Sequence, residues 1–228
     1  LNALVGLATL RLLRSEVPGA PWLEAAGLVI LAALGGGFAG ADRLLAWSER
    51  AAYVDPVIYA TSSPYQRIVL TRSGNDLRLH LNGNLQFSSR DEYRYHEALV
   101  HPGLARLPNA RDALVLGGGD GLAIREILRH PQVERITLVD LDPAMTRLFA
   151  SQSLLTNLNQ AALHSPRVEI VNADAFTWLQ NQTNRFDFVV ADFPDPSNFS
   201  LGKLYTTAFY RRVHSVLRPA GALVVQST

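Results

Sequence analysis

The chain has 228 residues, of which 48% are hydrophobic and 18% are charged, a composition that suits a folded domain with a sizeable core and excludes a disordered chain. Its 21 lysines and arginines are balanced by 20 acidic residues, so the net charge of +1 gives no support to nucleic-acid binding. Because cysteine is absent, disulfides, thiolate nucleophiles and Cys-ligated metals are excluded, and the six histidines lack the HxH and HExxH spacings of metal enzymes.

The first fifty residues form an apolar segment that we expect to associate with a membrane. Residues 25–41 are 17 positions without a charged side chain, near the lower limit for a transmembrane helix, and Trp22 would lie at the interface. The small residues of 35–41 favour close helix packing in a membrane over a stable helix in water. A buried helix of a soluble protein is the alternative. Since the chain does not begin with Met, we expect residues 1–50 to be the end of a transmembrane domain.

Residues 53–100 predict a small β domain followed by a linking helix. Two strands, 66–72 and 76–81, are joined by a turn at Gly74, and a second turn at Gly83 leads into a third strand at 85–88. The helix is expected to begin near Ser88 and Ser89, whose hydroxyls can cap free amides. Pro102 is expected to end it.

Residues 101–228 predict an α/β fold with a doubly wound, Rossmann-like parallel sheet of the methyltransferase type. Helical segments separate five apolar stretches, at 113–118, 136–140, 168–171, 186–192 and 222–226. The carboxyl ends of parallel strands meet at one edge of the sheet, where ligands bind.

A glycine-rich turn, Gly117, Gly118 and Gly119, ends the first parallel strand and is followed by Asp120. Glycines let the backbone approach a ligand closely, but no Gly-Lys-Ser/Thr follows, so this is not a triphosphate-binding loop. The Asp120 carboxylate would repel a phosphate and attract an ammonium group. The alternative is an acid that stabilises the N-terminus of the next helix.

Acidic residues also end the second and third strands. Asp140 is expected to accept hydrogen bonds from ribose hydroxyls. Asp142, before Pro143, is predicted to be a helix N-cap. Asp174 could bind an adenine amino group or cap a helix. Together the glycine-rich turn, Asp140 and Asp174 predict an adenosine pocket, which would suit either a dinucleotide or a sulfonium nucleoside.

The fourth strand ends at Asp192, and Asp195 follows on a proline-stiffened loop. With Asp120 they predict three acids in one small volume, an arrangement that costs repulsion unless a cation binds there. An amine is favoured over a divalent metal, because neither a histidine nor a defined series of oxygen ligands accompanies the acids.

From residue 53 to residue 228 the sequence resembles the spermidine synthase (polyamine aminopropyltransferase) family. The motifs that carry the resemblance occur in family order: SPYQRIVL, LNGNLQFSSRDEYRYHEALVHP, LGGGDGLAIREILRH, LVDLDP, VNADAF, DFPDP, LGKLY and LVVQST. The apolar N-terminal part is similar to the subgroup with a membrane domain. Methyltransferases share the fold and the adenosine pocket but lack the YHE segment and the DxxDP loop.

The resemblance implies a role for each matching residue. Asp192 would be the catalytic base, Asp195 and Asp120 would bind ammonium groups, and Tyr95 and His96 would frame the channel of the acceptor amine. The donor nucleoside would contact the remaining positions, which are Gln66, Gln86, Gly117, Gly118, Gly119, Asp140, Asp174 and Ala175.

The family also implies the partners of the reaction. The co-substrate would be decarboxylated S-adenosylmethionine, with no separate cofactor, no metal and no nucleic acid, and the acceptor would be a polyamine. We expect a homo-oligomer at the inner cell membrane with its catalytic domain facing the cytoplasm. A methyltransferase using S-adenosylmethionine and a non-catalytic, membrane-linked polyamine sensor remain alternatives.

Two departures from the family pattern generate expectations. Phe193 and Pro194 replace two small residues, which is expected to narrow or reshape the acceptor site. The chain ends soon after the fifth parallel strand, so we expect the strands that help close the pocket in the family to be missing.

Overall fold

The computed structural model of the chain describes residues 2–13, 20–196 and 199–226. It divides into two compact units, Leu1–Val57 and Ile58–Thr228. The limits expected from the sequence, 1–50, 53–100 and 101–228, stay predictions. They include residues 1, 14–19, 197–198 and 227–228, which lie outside the described residues.

The first unit contains three helices, α1 (Asn2–Leu12), α2 (Ala20–Ala39) and α3 (Ala41–Ala52). Within α2, Pro21–Ala39 is long and apolar enough to cross a membrane, judged by length and composition. Large apolar side chains such as Val29 and Phe38 are 68% and 88% exposed within the unit. Burying such side chains in lipid removes them from water, so the helix fits the membrane expectation.

The second unit begins with a four-stranded sheet in the order β1 (Val57–Ser62), β2 (Arg67–Ser73), β3 (Asp76–Leu81) and β4 (Asn84–Ser88). β2 pairs antiparallel with β3, and β3 with β4. Asn82 and Gly83 both have positive φ, as a two-residue hairpin turn of type I′ requires. The sequence predicted β2, β3 and β4 but missed β1, whose VIYATS stretch lacks clear alternation.

Helix α4 (Glu92–Ala105) follows this sheet, and the expectation that serine hydroxyls cap it is wrong. Asp91 is the N-cap residue and makes no side-chain capping bond. The hydroxyls of Ser88 and Ser89 instead donate to Asp76, at 2.6 Å and 3.3 Å. They are drawn to a buried carboxylate across the hairpin, a partner that local sequence does not reveal.

Pro102 lies inside α4, so the expectation that it ends the helix is also wrong. The last turn packs against the parallel sheet: Leu104 is buried, and a Cβ on Gly103 would lie 2.5 Å from Cε2 of Phe188. This packing offsets the single backbone hydrogen bond that a proline removes.

The parallel sheet has the predicted α/β architecture. Its strands are β5 (Asp112–Gly117), β6 (Arg135–Asp140), β7 (Val168–Asn172), β8 (Phe186–Asp192) and β9 (Leu217–Val225). The order is β7-β6-β5-β8-β9, and all four pairings are parallel. Chain order reverses around β5, whose neighbours are β6 and β8, so a crevice for ligands is expected beyond the ends of these three strands.

Helices lie between these strands. The α-helices are α5 (Leu122–Leu128), α6 (Pro143–Ser151), α7 (Ser153–Leu158), α8 (Ala175–Trp178), α9 (Phe199–Gly202) and α10 (Thr207–Val216), with short 3-10 helices at Ala162–His164, Leu179–Asn181 and Lys203–Tyr205. Every residue of β5 is buried, and hydrophobic clusters cover both faces of the sheet. The ends of β5, β6 and β8 are therefore set in a rigid core.

The contact between α4 and the sheet can be tested by Gly103→Ala. The added methyl group must displace Phe188 or the helix, so we expect the free energy of unfolding to fall by about 1–3 kcal/mol in urea denaturation. Gly202→Ala is the matched control, because its backbone is helical and no atom lies within 4 Å of the added Cβ. Equal stability of the two variants would contradict the packing argument.

Candidate active site

The glycine-rich turn lies between two carboxylates at the end of β5. Gly117 pairs with Asp192 of β8, and a Cβ on Gly117 would lie 2.1 Å from the Asp192 carbonyl oxygen. On the other side, the Gly119 amide donates to Oδ2 of Asp140 at 3.0 Å. A Cβ on Gly119 would lie 2.7 Å from that same oxygen. Only residues without a side chain fit this close approach.

Asp140 ends β6 and is held by backbone amides on both of its oxygens. Gly119 binds Oδ2, and the Asp142 amide donates to Oδ1 at 2.8 Å. Burial raises the pKa of Asp140 to about 6, although these two hydrogen bonds favour the charged form. The carboxylate is thus fixed in place beside the glycine-rich turn.

Asp142 is a helix N-cap, as the sequence predicted. Its Oδ1 accepts a hydrogen bond from the Ala144 amide at 2.9 Å. Its Oδ2 accepts from Ser63 at 2.7 Å and from Nε2 of Gln66 at 3.0 Å. The structure therefore brings Gln66 to the end of β6. Gln86 is not brought there: it is exposed on β4, and its Nε2 donates to the Asn84 carbonyl at 3.3 Å.

Asp120 follows the glycine-rich turn and lies at the N-terminus of α5, the structural alternative considered for it, while its expected role in binding an ammonium group stays a prediction. Its Oδ1 accepts from the Leu122 amide at 2.9 Å, as an acid at the N-terminus of α5 should. Burial raises the pKa of Asp120 to about 6, the positive charge of His96 opposes this rise, and Asp192 adds to it. The charges of Asp192 and His96 therefore both act on the Asp120 carboxylate.

Helix α4 brings Tyr95 and His96 to the same place. The Tyr95 hydroxyl donates to Oδ1 of Asp192 at 2.5 Å, and the two aromatic rings meet edge to face with centroids 4.7 Å apart. Burial, together with the Asp192 charge, raises the pKa of Tyr95 far above its ordinary value, so its hydroxyl stays a donor. Burial opposes the charged form of His96, but a hydrogen bond to Glu92 and the charges of Asp120 and Asp192 raise its pKa overall.

The loop after β8 is fixed by a tyrosine that the sequence analysis did not single out. The Tyr205 hydroxyl lies 3.2 Å from the Phe193 carbonyl and 3.0 Å from the Pro194 carbonyl, as a shared donor. Phe193 packs against Phe209 at 5.8 Å and is only 9% exposed. The ring of Phe193 thus fills the core, and the expectation that Phe193 and Pro194 narrow or reshape the acceptor site stays a prediction. Asp195 is exposed on the loop.

Asp174 caps α8, the structural alternative considered for it. Its Oδ1 accepts from the amide and the hydroxyl of Thr177, at 2.8 Å and 2.9 Å. Its Oδ2 forms an ion pair with Lys203 at 2.5 Å. Burial works against ionisation, but the hydrogen bonds from Lys203 and Thr177 lower the pKa of Asp174 overall. Ala175 is buried at the start of α8.

Sequence analysis missed two buried charged residues behind this site. Glu92 is 6% exposed and accepts two hydrogen bonds from Arg125, at 2.8 Å and 3.0 Å, as well as one from His96. The available signal was Arg125 itself, an arginine within the largely apolar segment LAIREIL of α5. A cation on a buried helix needs a carboxylate partner.

One group among the described residues has the donor set for a metal ion. Ligand atoms of Glu97, His101 and Glu126 lie within 4.8 Å of one another. However, Arg129 lies 2.7 Å from Glu126 and 3.4 Å from Glu97, and Arg125 lies 2.7 Å from Glu126. These guanidinium groups already supply the positive charge, so the group is an ion-pair network.

Comparison with known proteins identifies relatives of this chain in sequence and in fold. A family model described as spermine/spermidine synthase domain matches residues 92–228. Polyamine aminopropyltransferase 2 of Ralstonia nicotianae is 60% identical over 197 residues, covering 86% of this chain and 39% of that protein. The polyamine aminopropyltransferase of Leptospira interrogans is 52% identical over 206 residues, covering 90% and 41%. The chain thus spans about two fifths of the length of these curated relatives.

Solved structures of spermidine synthases have a similar fold. A spermidine synthase in complex with the transition state analogue AdoDATO superposes with a TM-score of 0.64 at 32% identity, covering 71% of this chain and 55% of that one. The Thermotoga maritima spermidine synthase superposes with a TM-score of 0.67 at 30% identity, covering 74% and 56%.

The strain at Asp120 can be measured through stability. Because the folded protein holds this proton more tightly than the unfolded chain, Asp120 lowers stability as the pH rises from about 4 to about 6. Asp120→Asn keeps an acceptor for the Leu122 amide and removes the charge. We expect the free energy of unfolding at pH 7.5 to rise by about 1 kcal/mol or more, with little change at pH 4. The exposed Glu169→Gln is the control. A loss of stability at pH 7.5 would contradict the burial argument.

Proposed function

The chain belongs to the spermine/spermidine synthase family. We propose that the protein transfers an aminopropyl group from decarboxylated S-adenosylmethionine to an amine such as putrescine. The products are spermidine and 5′-methylthioadenosine. One observation carries the proposal: Tyr95 binds Asp192 directly beside the glycine-rich turn, and Asp120 lies in the same electrostatic surroundings. This arrangement joins an acidic site for a cation to a crevice suited to a nucleoside.

The nucleoside end is assigned to the edge formed by β5, β6 and β7. Asp140 accepts hydrogen bonds from the ribose hydroxyls, using the lone pairs that Gly119 and Asp142 leave open. Gln66 contacts the nucleoside from the β unit. Asp174 and Ala175 contact the adenine. The Asp174 carboxylate binds both the adenine amino group and the ammonium group of Lys203. Gln86 keeps its assignment to the donor on the resemblance alone.

The chemical difficulty lies with the nucleophile. An alkylammonium group has a pKa near 10, so at neutral pH it holds no free electron pair. Asp192 accepts its proton: Tyr95 occupies Oδ1, and Oδ2 faces the space beside Gly118, where a Cβ would lie 3.0 Å away. The freed nitrogen attacks the carbon next to the sulfonium, a C–N bond forms, and the C–S electron pair leaves with the sulfur as a neutral thioether.

The other acids provide orientation and selectivity. Asp120 and Asp195 bind ammonium groups, Tyr95 and His96 frame the acceptor channel, and proximity supplies much of the rate. Asp120 also distinguishes the two related donors, because ordinary S-adenosylmethionine carries a carboxylate that an acidic site repels. This repulsion favours aminopropyl transfer over methyl transfer. A sensor without turnover would not need a base at Asp192.

The proposal extends to the surroundings of the enzyme. The apolar helix α2 attaches the protein to the inner cell membrane, as in the subgroup with a membrane domain. The catalytic domain faces the cytoplasm, where the donor nucleoside is made, and the protein forms a homo-oligomer. The proposed reaction uses no metal, no additional cofactor and no nucleic acid, since the sulfonium leaves without assistance.

Product analysis tests the function. The detergent-solubilised protein is incubated with decarboxylated S-adenosylmethionine and a panel of amines. Mass spectrometry is expected to detect 5′-methylthioadenosine and an amine heavier by one aminopropyl group. A methylated product from S-adenosylmethionine would replace the proposal with methyl transfer. Amine binding without any product would indicate a sensor.

Asp192→Asn tests the assigned base. Asparagine keeps an oxygen for the Tyr95 hydroxyl but cannot accept a proton, so kcat should fall by about 10²–10⁴-fold. Binding of 5′-methylthioadenosine, measured by calorimetry, should change only a few-fold. The exposed Glu169→Gln should leave both quantities unchanged. If Asp192→Asn keeps a near-normal rate, another residue is the base.

A further inference from the structure

A chain of alternating charges leads from the amine site to the outer surface of α4 and α5. Each member contacts the next within 3.4 Å. Its members, in order, are His96, Glu92, Arg125, Glu126, Arg129 and Glu97. The inner members are almost fully buried, with Glu92 at 6%, Arg125 at 6% and Glu126 at 1% exposed. Buried charges of this kind must balance one another.

The partners of His96 fix which of its ring nitrogens carries a hydrogen. Nδ1 lies 2.8 Å from the Glu92 carbonyl oxygen and 2.8 Å from Oε2 of the Glu92 side chain. Both partners are acceptors, so Nδ1 must be the donor. The ring is only 3% exposed and rests edge-on against Tyr95, so it cannot turn over. Only Nε2 remains free to gain or lose a proton.

The charge balance around the ring favours a proton on Nε2. With His96 as an imidazolium, three cations alternate with three carboxylates along the chain. Facing the ring are Glu92 and Tyr95 from α4, Asp120 from the glycine-rich turn and Asp192 from β8. Arg125 of α5 acts on it through Glu92. The positive charge of His96 acts on Asp120 and Asp192, two of the acids that are proposed to hold the substrate.

We propose that Glu92, held by Arg125, is a positioning residue that keeps His96 in its protonated form, and that an ammonium group binding at Asp120 and Asp192 displaces the proton from Nε2. The inference rests on the proposed function, because it takes the acids as the amine site. The ammonium group brings to the acids the positive charge that His96 supplied. Amine binding and proton release are therefore coupled, and the amine binds more tightly as the pH rises through the range where His96 titrates.

Calorimetry in buffers of different ionisation enthalpy measures the coupling. Putrescine is titrated into the unsubstituted protein saturated with 5′-methylthioadenosine. The pH is 7.5, above the pKa of about 6 at Asp120, so that Asp120 is already ionised. We expect a proton to be released from the protein as the amine binds, because the raised pKa of His96 falls when the ammonium group arrives. In Glu92→Gln the amide still accepts the Nδ1 hydrogen but lacks the charge. Proton release should then fall close to zero at the same pH, and the tightening of amine binding with pH should disappear.

Two further variants make the test decisive. Glu134→Gln removes an exposed carboxylate that pairs with Arg111, and it should leave proton release unchanged. His96→Gln cannot release a proton at all and leaves the buried Glu92–Arg125 pair in place, so it carries the test if Glu92→Gln does not fold. Release of a proton in His96→Gln, or an unchanged count in folded Glu92→Gln, would overturn the inference.

The failure of this inference differs from failure of the proposed function. If the unsubstituted protein makes product and binds amine without releasing a proton, the proposed function stands and the proposed coupling is wrong. If the unsubstituted protein binds no amine and makes no product, both the proposed function and the proposed coupling are wrong.

Discussion

The candidate site depends on the close approach of one backbone turn to two carboxylates. Gly117 lies opposite Asp192 because of the register of β5 and β8, and Asp140 ends the neighbouring strand on the other side. The sheet itself therefore places both acids against the turn, and the missing side chains at Gly118 and Gly119 let the carboxylates of Asp192 and Asp140 come within contact. The distance between the nucleoside end and the amine end of the crevice is thus set by strand register, which a packed core holds fixed, rather than by loops.

This arrangement stores electrostatic strain. Burial raises the pKa of both Asp120 and Asp140 to about 6, so the folded protein holds charges that water would accommodate more easily. Backbone amides offset part of the cost at Asp140. At Asp120 the positive charge of His96 has the same effect. A cationic substrate would relieve the same repulsion, and this supports the proposal that the site binds ammonium groups.

Sequence predicted what depends on local pattern. The five parallel strands were located from their apolar stretches, which are most continuous where a strand is buried along its whole length, as β5 is, and strand ends then indicated Asp140, Asp174 and Asp192. Features with distant partners were missed. Ser88 and Ser89 bind Asp76 instead of capping α4, Pro102 is tolerated because the following turn packs on Phe188, and Lys203 reaches Asp174 from a segment much later in the chain. None of these partners leaves a mark in the neighbouring sequence.

The Glu92–Arg125 pair raises a question that stability alone does not answer. A buried ion pair costs desolvation of both groups, and apolar residues of similar volume often give equal or greater stability at such a position. What apolar residues cannot supply is a fixed negative charge at Nδ1 of His96. Without it the backbone carbonyl of Glu92 would still hold the Nδ1 hydrogen, but no carboxylate at Nδ1 would favour the charged ring. With it, the charged ring is favoured, and the one proton still free to leave is on Nε2, the nitrogen whose charge the amine is proposed to replace.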